Sequence, residues 1–219
     1  MRDAARRPEL ALLACIGLTV ACDATPSTLV QGSTPAQVAA TEPAAGVAPD
    51  VTDLLAQAAA RERSGDLDGA LAQAEAALRT AEAGAQAQGG KAHGAQVRDA
   101  ALTVAKLAIL LERHDRAAAV LEPLVQRDAN DAVAQYDLAL VHQHRDDYNR
   151  ARSGYLAALR ADPTHADARF NLAMLCWRRG VHAEARHHAD VFRARFPDDP
   201  RGGQLAAMTA AGAAPPPAG

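Results

Sequence analysis

The segment that decides the fold runs from residue 147 to residue 175 and contains DYNRARSGYLAALRADPTHADARFNLAML. Alanine-rich stretches lie on both sides of Pro163. Alanine has the highest helix propensity, and proline ends a helix because it lacks a backbone N–H donor and clashes with the preceding turn. The segment therefore predicts two helices joined by a turn at Pro163.

The same pattern recurs along the chain every 34 residues, as between Ala105 and Ala139. Each of four columns holds the same residue or a similar one in three successive windows. The columns are Val104, Leu138 and Leu172; Ala105, Ala139 and Ala173; Ala117, Ala151 and Ala185; and Ala129, Pro163 and Pro197. A fixed period of this length is typical of stacked helical repeats, in which small residues let paired helices approach closely.

These residues resemble the tetratricopeptide repeat (TPR), a 34-residue helix–turn–helix unit. One unit is matched by Tyr136, Leu138, Ala139, Tyr148, Ala151, Tyr155, Ala158 and Pro163. The resemblance implies an all-α protein, a right-handed α-solenoid of about four repeats within a domain at 51–199. The repeats are expected at 51–84, 98–131, 132–165 and 166–199.

The period slips between the first and second units, where the segment 85–97 is inserted. Gly84, Gly89, Gly90 and Gly94 predict a loop in this insertion. After residue 199, the segment 200–219 is expected to hold a short stretch that caps the last repeat, followed by a disordered tail.

The N-terminal segment has the features of an export signal. Residues 1–21 combine three arginines with an uncharged apolar run, Leu10 to Ala21, that is too short for a spanning helix. The run ends in Leu-Thr-Val-Ala before Cys22 and resembles the bacterial lipobox, which implies a lipidated Cys22; an ordinary secretory signal is the alternative. Residues 22–50 are rich in Pro, Ala and Thr and predict a tether. The expected location is therefore the bacterial envelope, lipid-anchored and facing the periplasm, with the inner or outer membrane left open.

Composition excludes several classes of protein. The chain has 219 residues, a formal net charge of −3 and three cysteines, which disfavours nucleic-acid binding and a disulfide framework. The eight histidines lack metal-binding spacing, Cys176 has no nucleophile context, and the Gly89-Gly90-Lys91 sequence is not a phosphate loop. No enzyme activity, metal or cofactor is expected, and a histidine-based metal binder or enzyme is the alternative of another class.

A binding groove is expected where the TPR resemblance implies one, on the face of the first helices opposite the alanine columns. The candidate groove residues are Leu102, Lys106, Ile109, Tyr136, Leu140, Gln143, Phe170, Asn171, Met174 and Trp177. Large anchors are confined to the last two repeats, because all seven aromatic residues lie between Tyr136 and Phe196. For Phe170 and Trp177, packing against the capping segment is the alternative.

The sequence thus predicts a lipid-anchored scaffold that binds a protein or peptide partner in its groove. The architecture resembles small TPR lipoproteins such as pilotins, which implies a role in assembling envelope complexes. A scaffold for peptidoglycan enzymes is the alternative. Only Asn171 resembles a residue of the clamp with which some TPR domains bind a C-terminal carboxylate, so an apolar contact is favoured.

Overall fold

The computed structural model describes residues 50–211, and all of its regular secondary structure is helical. The predicted signal peptide, Cys22, the tether up to residue 49 and the tail from residue 212 lie outside the described residues. No helix within 50–211 combines the length and the apolar character needed to cross a membrane. The helices in chain order are α1 (Val51–Arg63), α2 (Leu67–Gln88), α3 (Lys91–Leu110), α4 (His114–Arg127), α5 (Ala132–His144), α6 (Tyr148–Ala161), α7 (Ala166–Arg178), α8 (His182–Arg195) and α9 (Arg201–Ala211).

The first eight helices form four consecutive helix–turn–helix pairs. Short turns make the two helices of a pair lie side by side, and each pair packs on the next. Aspartate side chains at the N-caps accept hydrogen bonds from the first turn, as Asp131 does from Ala134 and Asp147 from Arg150. The helices α6 and α8 end two residues before Pro163 and Pro197, as predicted.

The turn within each pair places one residue in the left-handed region of backbone space. The residues are Gly65 (φ 84°), Glu112 (φ 57°), Asp146 (φ 61°) and Gly180 (φ 76°). Glycine adopts this conformation freely, whereas for other residues it costs about 1 kcal/mol or more. The same turn is therefore built with and without glycine.

The alanine columns form the seam between helices. Ala105, Ala139 and Ala173 are fully buried, and so are Ala117, Ala151 and Ala185 of the second helices. Gly154 of α6 shows how close the approach is, because a Cβ at this position would lie 2.8 Å from the Ala139 Cβ. The prediction that these small residues let the paired helices touch is confirmed.

The predicted loop in the middle of the insertion 85–97 is present, but it is short. Residues 85–88 continue α2 and residues 91–97 begin α3, which leaves only Gly89 and Gly90 outside helices. The helix α2 has 22 residues where α4, α6 and α8 have 14, and α3 has 20 where α5 and α7 have 13. The insertion thus lengthens two neighbouring helices, because packing between them outweighs the modest helix penalty of glycine.

The capping segment contains a helix. α9 packs on α8 and α7, and its Leu205 is fully buried with Ala173, Ala189 and Phe192. Arg201 at its start is paired with Asp167 of α7 at 2.5 Å. Buried side chains fall into three clusters: one over α1–α4 that reaches α5, one over α5–α8, and this cluster at the C-terminal end.

Candidate functional site

The face of the first helices opposite the alanine seam is the candidate site, called the groove face below. Nine of its ten predicted residues are half-buried, and Lys106 is exposed. Half-buried apolar side chains on a helix face have one side packed and one side available for contact. The groove face therefore differs from the core, where the alanine columns are fully buried.

Lys106 is held by an ion pair within the chain. Its Nζ lies 2.5 Å from a carboxylate oxygen of Glu62 at the end of α1. This contact joins the first and second repeats on the groove face. Lys106 thus links two repeats as well as being exposed on the groove face. The sequence did not indicate this ion pair.

Tyr136 lies at the centre of a polar network between α5 and α7. Its hydroxyl oxygen accepts a hydrogen bond of 3.1 Å from the Asn171 side chain, and its ring packs on those of Tyr155 and His165 at centroid distances of 5.9 and 4.7 Å. Burial and then the carboxylate of Asp167 raise the pKa of Tyr136 to about 12, so the hydroxyl keeps its proton at neutral pH. Within residues 50–211, no hydrogen-bond acceptor receives that proton.

Gln143 and Leu140 continue the same face along α5. The Gln143 amide oxygen accepts a hydrogen bond of 3.0 Å from the buried Tyr155 hydroxyl. Gln143 also lines a depression of about 230 Å³ together with Tyr148, Leu175 and Arg178. Leu140 packs at the edge of the second cluster and is half-buried.

The five aromatic and apolar residues predicted on α5 and α7 fall into two clusters: Tyr136, Leu140 and Trp177 in one, and Phe170 and Met174 in the other. Phe170 and Met174 pack in the C-terminal cluster with Leu205 of α9, so the cap covers part of both. Trp177 instead joins the second cluster, where its ring lies 4.4 Å from that of His182. The capping alternative is therefore confirmed for Phe170, whereas Trp177 belongs with the residues of α5.

Three residues of this face were not predicted from the sequence. Val133 lies one turn before Tyr136 and is 42% exposed, and Leu110 lies four residues after Lys106 and is 53% exposed. Residues three or four apart share a helix face, so extending the predicted face by one turn in each direction would have found both. The third is Asp137, whose half-buried carboxyl group makes no hydrogen bond or ion pair with another residue in 50–211.

Burial dominates the electrostatics of Asp137. Desolvation, followed by the charge of Asp131, raises the pKa of Asp137 to about 7. Asp131 itself is satisfied, because Arg98 donates to both of its oxygens. The aspartate on the groove face therefore differs from the aspartates at the helix caps, which have donors.

The histidines and the cysteine have structural surroundings. Cys176 is fully buried, and burial raises the pKa of its thiol. His142 is buried in the column of Ala108 and Cys176, as predicted, while His144 is exposed and stacks on His114 at 4.7 Å. Among the described residues, no three or more His, Cys, Asp or Glu side chains are grouped as metal ligands would be.

Comparison with solved structures identifies the fold. The chain is similar to MamA with a TM-score of 0.59 and 19% identity over 74% of this chain and 81% of that one. It is similar to a tetratricopeptide repeat protein from Parabacteroides merdae ATCC 43184 with a TM-score of 0.59 and 14% identity over 73% and 58%. The type III secretion translocator chaperone SycD of Yersinia enterocolitica matches with a TM-score of 0.50 and 17% identity over 53% and 83%. No family model matches the chain. No curated protein matches its sequence.

These similarities agree with the repeat resemblance in the sequence. The chain is a TPR protein in fold: an all-α solenoid of helix–turn–helix repeats. At identities between 14% and 19%, the similarity concerns the arrangement of the helices and no activity.

Proposed function

We propose that this chain is a non-enzymatic, lipid-anchored scaffold that binds a partner protein on its groove face and serves the assembly of a bacterial envelope complex, as a pilotin does. The observation that carries the proposal is the row of half-buried side chains on α3, α5 and α7, with Tyr136 and Leu140 at its centre. Tyrosine and tryptophan are enriched in binding hot spots, and Tyr136 and Trp177 both belong to this row.

Further observations support this proposal. SycD, which is similar in fold, is a type III secretion translocator chaperone. The Arg-rich start, the apolar run and Cys22 support export and lipid anchoring, and two or more acyl chains on one residue would supply a stable anchor. The buried, unactivated thiol of Cys176 supports the absence of nucleophilic catalysis.

The groove is tested by a matched pair of exposed valines. Val133→Gln changes the groove face, where the side chain is 42% exposed, and Val181→Gln changes the turn before α8, where it is 38% exposed. The full-length variants, together with Leu140→Gln, are used to capture partners from native membranes. A hot-spot contact is worth about 2 kcal/mol, or roughly 30-fold in affinity.

We expect a partner that the wild type and Val181→Gln both retain and that Val133→Gln and Leu140→Gln lose. Thermal unfolding of all four proteins controls for stability, which surface changes usually alter by about 0.5 kcal/mol or less. Undiminished capture by the two groove variants would mean that partners bind elsewhere.

Anchoring is tested separately with Cys22→Ser. The wild type should fractionate with membranes and carry acyl chains detectable by mass spectrometry. The serine variant should accumulate as an uncleaved precursor or be released. A variant that matures and fractionates like the wild type would exclude lipidation of Cys22.

A further inference from the structure

Polar contacts link adjacent first helices in the described part of the chain, and the Arg98–Asp131 pair joins α3 to the start of α5. The Lys106–Glu62 ion pair joins α1 and α3, and the Asn171–Tyr136 hydrogen bond joins α5 and α7. Between α3 and α5, the groove-face position next to Tyr136 is occupied by Asp137, which has no partner among the described residues. This junction lies in the middle of the groove face.

The repeat register explains why Asp137 is unpaired within residues 50–211. Asn171 of α7 meets Tyr136 of α5, and the equivalent residues one repeat earlier are Asp137 and Leu102. Leucine offers no donor, whereas tyrosine offers a hydroxyl oxygen to the asparagine amide. The position that holds the hydrogen-bonded Asn171 in one repeat thus holds Asp137, a carboxyl group without a hydrogen-bond partner among the described residues, in the preceding repeat.

The described surroundings of this carboxyl group contain no compensating charge. The charge that acts on it most strongly is the carboxylate of Asp131, which is engaged by Arg98 at the start of the helix. Lys106, a cation of the groove face, is committed to Glu62. A half-buried carboxylate without a cation is costly, and a cation that arrives with a ligand relieves that cost.

Apolar surface flanks the carboxyl group along the helices. Leu102 lies on α3, and Val133 and Leu140 lie about one turn before and one turn after Asp137 on α5. A ligand that matches this surface therefore carries one cation between apolar groups. Arginine and lysine side chains have this character, because an apolar stem carries the charged end.

We propose that the groove face recognises a partner peptide through a single lysine or arginine that pairs with Asp137 and is flanked by apolar residues seated on Leu102, Val133 and Leu140. This inference rests on the proposed partner-binding function and specifies the chemistry of the partner. The Tyr136 hydroxyl, one residue away, adds a donor for a backbone carbonyl of the same peptide.

The experiment is a selection of random dodecapeptides on phage, performed in parallel against the full-length wild type, Asp137→Asn and Glu122→Gln in detergent. Glu122 is an exposed residue of α4, a second helix, so its variant makes the same change of charge away from the groove face. Selected peptides are then synthesised, and their affinities are measured with the basic residue present or replaced by norleucine.

We expect peptides selected by the wild type and by Glu122→Gln to share one basic residue at a fixed distance from apolar residues. Norleucine at that position should weaken binding at least tenfold to the wild type and little to Asp137→Asn. Asp137→Lys should reverse the preference towards a peptide with glutamate at the same position.

Two other outcomes overturn the inference in distinguishable ways. Peptides whose binding requires Leu140 but shows no preference for a basic residue would refute the role of Asp137 while supporting the groove. A failure of the wild type to select any peptide sensitive to Val133→Gln or Leu140→Gln would remove the proposed function as well.

Discussion

The first two repeats and the last two share one backbone plan but use different side chains. From residue 51 to residue 135 there is no Phe, Tyr or Trp, and the buried apolar side chains are those of alanine, valine and leucine. The last two repeats bury Tyr155 and Phe192 completely and hold Tyr136, Phe170 and Trp177 half-buried. The alanine seam is common to both halves, so it carries the repeat geometry.

The difference also concerns charge. The titratable groups with the largest pKa changes among residues 50–211 are Tyr136, Asp137, Tyr155, His188 and Arg201, all in the second half. In the first half, ion pairs such as Arg113–Asp68 and Arg116–Glu75 lie at the surface, where pairs contribute little. A regular framework of alanine seams can thus leave one part of a chain free to hold large and polar side chains at half-buried positions.

The largest expected effect concerns the aromatic core. Phe192→Ala should lower the free energy of unfolding by about 3 to 5 kcal/mol, because it empties a fully buried site among Phe170, Phe196 and Leu205. Chemical denaturation measures the loss, and hydrogen exchange of α9 amides shows whether the cap detaches. Leu107→Ala in the first half is the matched change, with a loss of about 2 to 5 kcal/mol and no effect on α9. Protected α9 amides in Phe192→Ala would contradict the dependence of the cap on this cluster.

The next effect is a dependence on pH confined to the second half. The pKa of Asp137 is about 7 in the folded chain and about 3.9 in an unfolded one, so the folded state binds the proton more tightly and stability falls as pH rises from about 4 to about 7. Asp137→Asn should be equal to the wild type near pH 4 and more stable by roughly 2 kcal/mol above pH 7, a value reduced for partial exposure.

His188 acts in the opposite direction over part of that range. Burial, then His187, lowers the pKa of His188 to about 4, so this residue costs stability as pH falls from 6.5 to about 4. The effect is common to the wild type and Asp137→Asn and cancels in their difference. Urea denaturation at several pH values measures that difference, and a difference independent of pH would show that Asp137 is normally solvated.

A smaller effect separates two helical glycines. Gly154→Ala should destabilise the protein by about 1 to 2 kcal/mol, because the new Cβ would lie 2.8 Å from that of Ala139 and 3.3 Å from the Gln135 carbonyl oxygen. Gly94→Ala in α3 meets nothing within 4 Å and should stabilise by about 0.5 to 1 kcal/mol. Thermal unfolding measures the change in stability of both variants. Changes of the same sign would mean that the two halves tolerate an added methyl group alike.

The smallest expected effect concerns the turns within the helix pairs, where glycine should be more stable than a residue with a side chain in both halves. Glu112→Gly should stabilise by about 0.5 to 1 kcal/mol by removing side-chain strain at φ 57°, and Gly180→Ala should destabilise by about 1 kcal/mol at φ 76°. Denaturation midpoints report both changes. A loss of stability in Glu112→Gly would show that the turn is unstrained.

Much of the fold could be predicted from the sequence, because alanines at a fixed period mark the places where neighbouring helices pack closely. Ala139 and Ala151 could be placed in the seam from spacing alone, and Pro163 at the end of a helix from its missing donor. The shortness of the loop at Gly89 and Gly90 could not be predicted, because the glycines give no sign of the neighbouring helix against which they pack. Glu112 and Asp146 gave no signal of their left-handed turns, since neither residue type requires that conformation.

The site was predicted less completely, because its properties depend on which residue faces which across repeats. Leu140 and Tyr136 could be placed on an accessible face from helical spacing. The ion pair of Glu62 with Lys106 and the isolation of Asp137 within residues 50–211 follow from contacts between α1, α3 and α5, which a single repeat does not contain. The cover of α9 over Phe170 likewise depends on how the chain turns back after residue 199.

The lengthened hairpin of α2 and α3 has a consequence for how such a protein can evolve. Each of the two helices exceeds its counterparts by close to two full helical turns, which together take about 7.2 residues. The seven additional residues of α3 return its side chains to within about 20° of their original direction, so the buried stripe of this helix stays aligned with the remaining repeats. Insertions and deletions that reach α3 are therefore expected in heptad-sized steps, and other lengths would rotate its buried stripe away from α2.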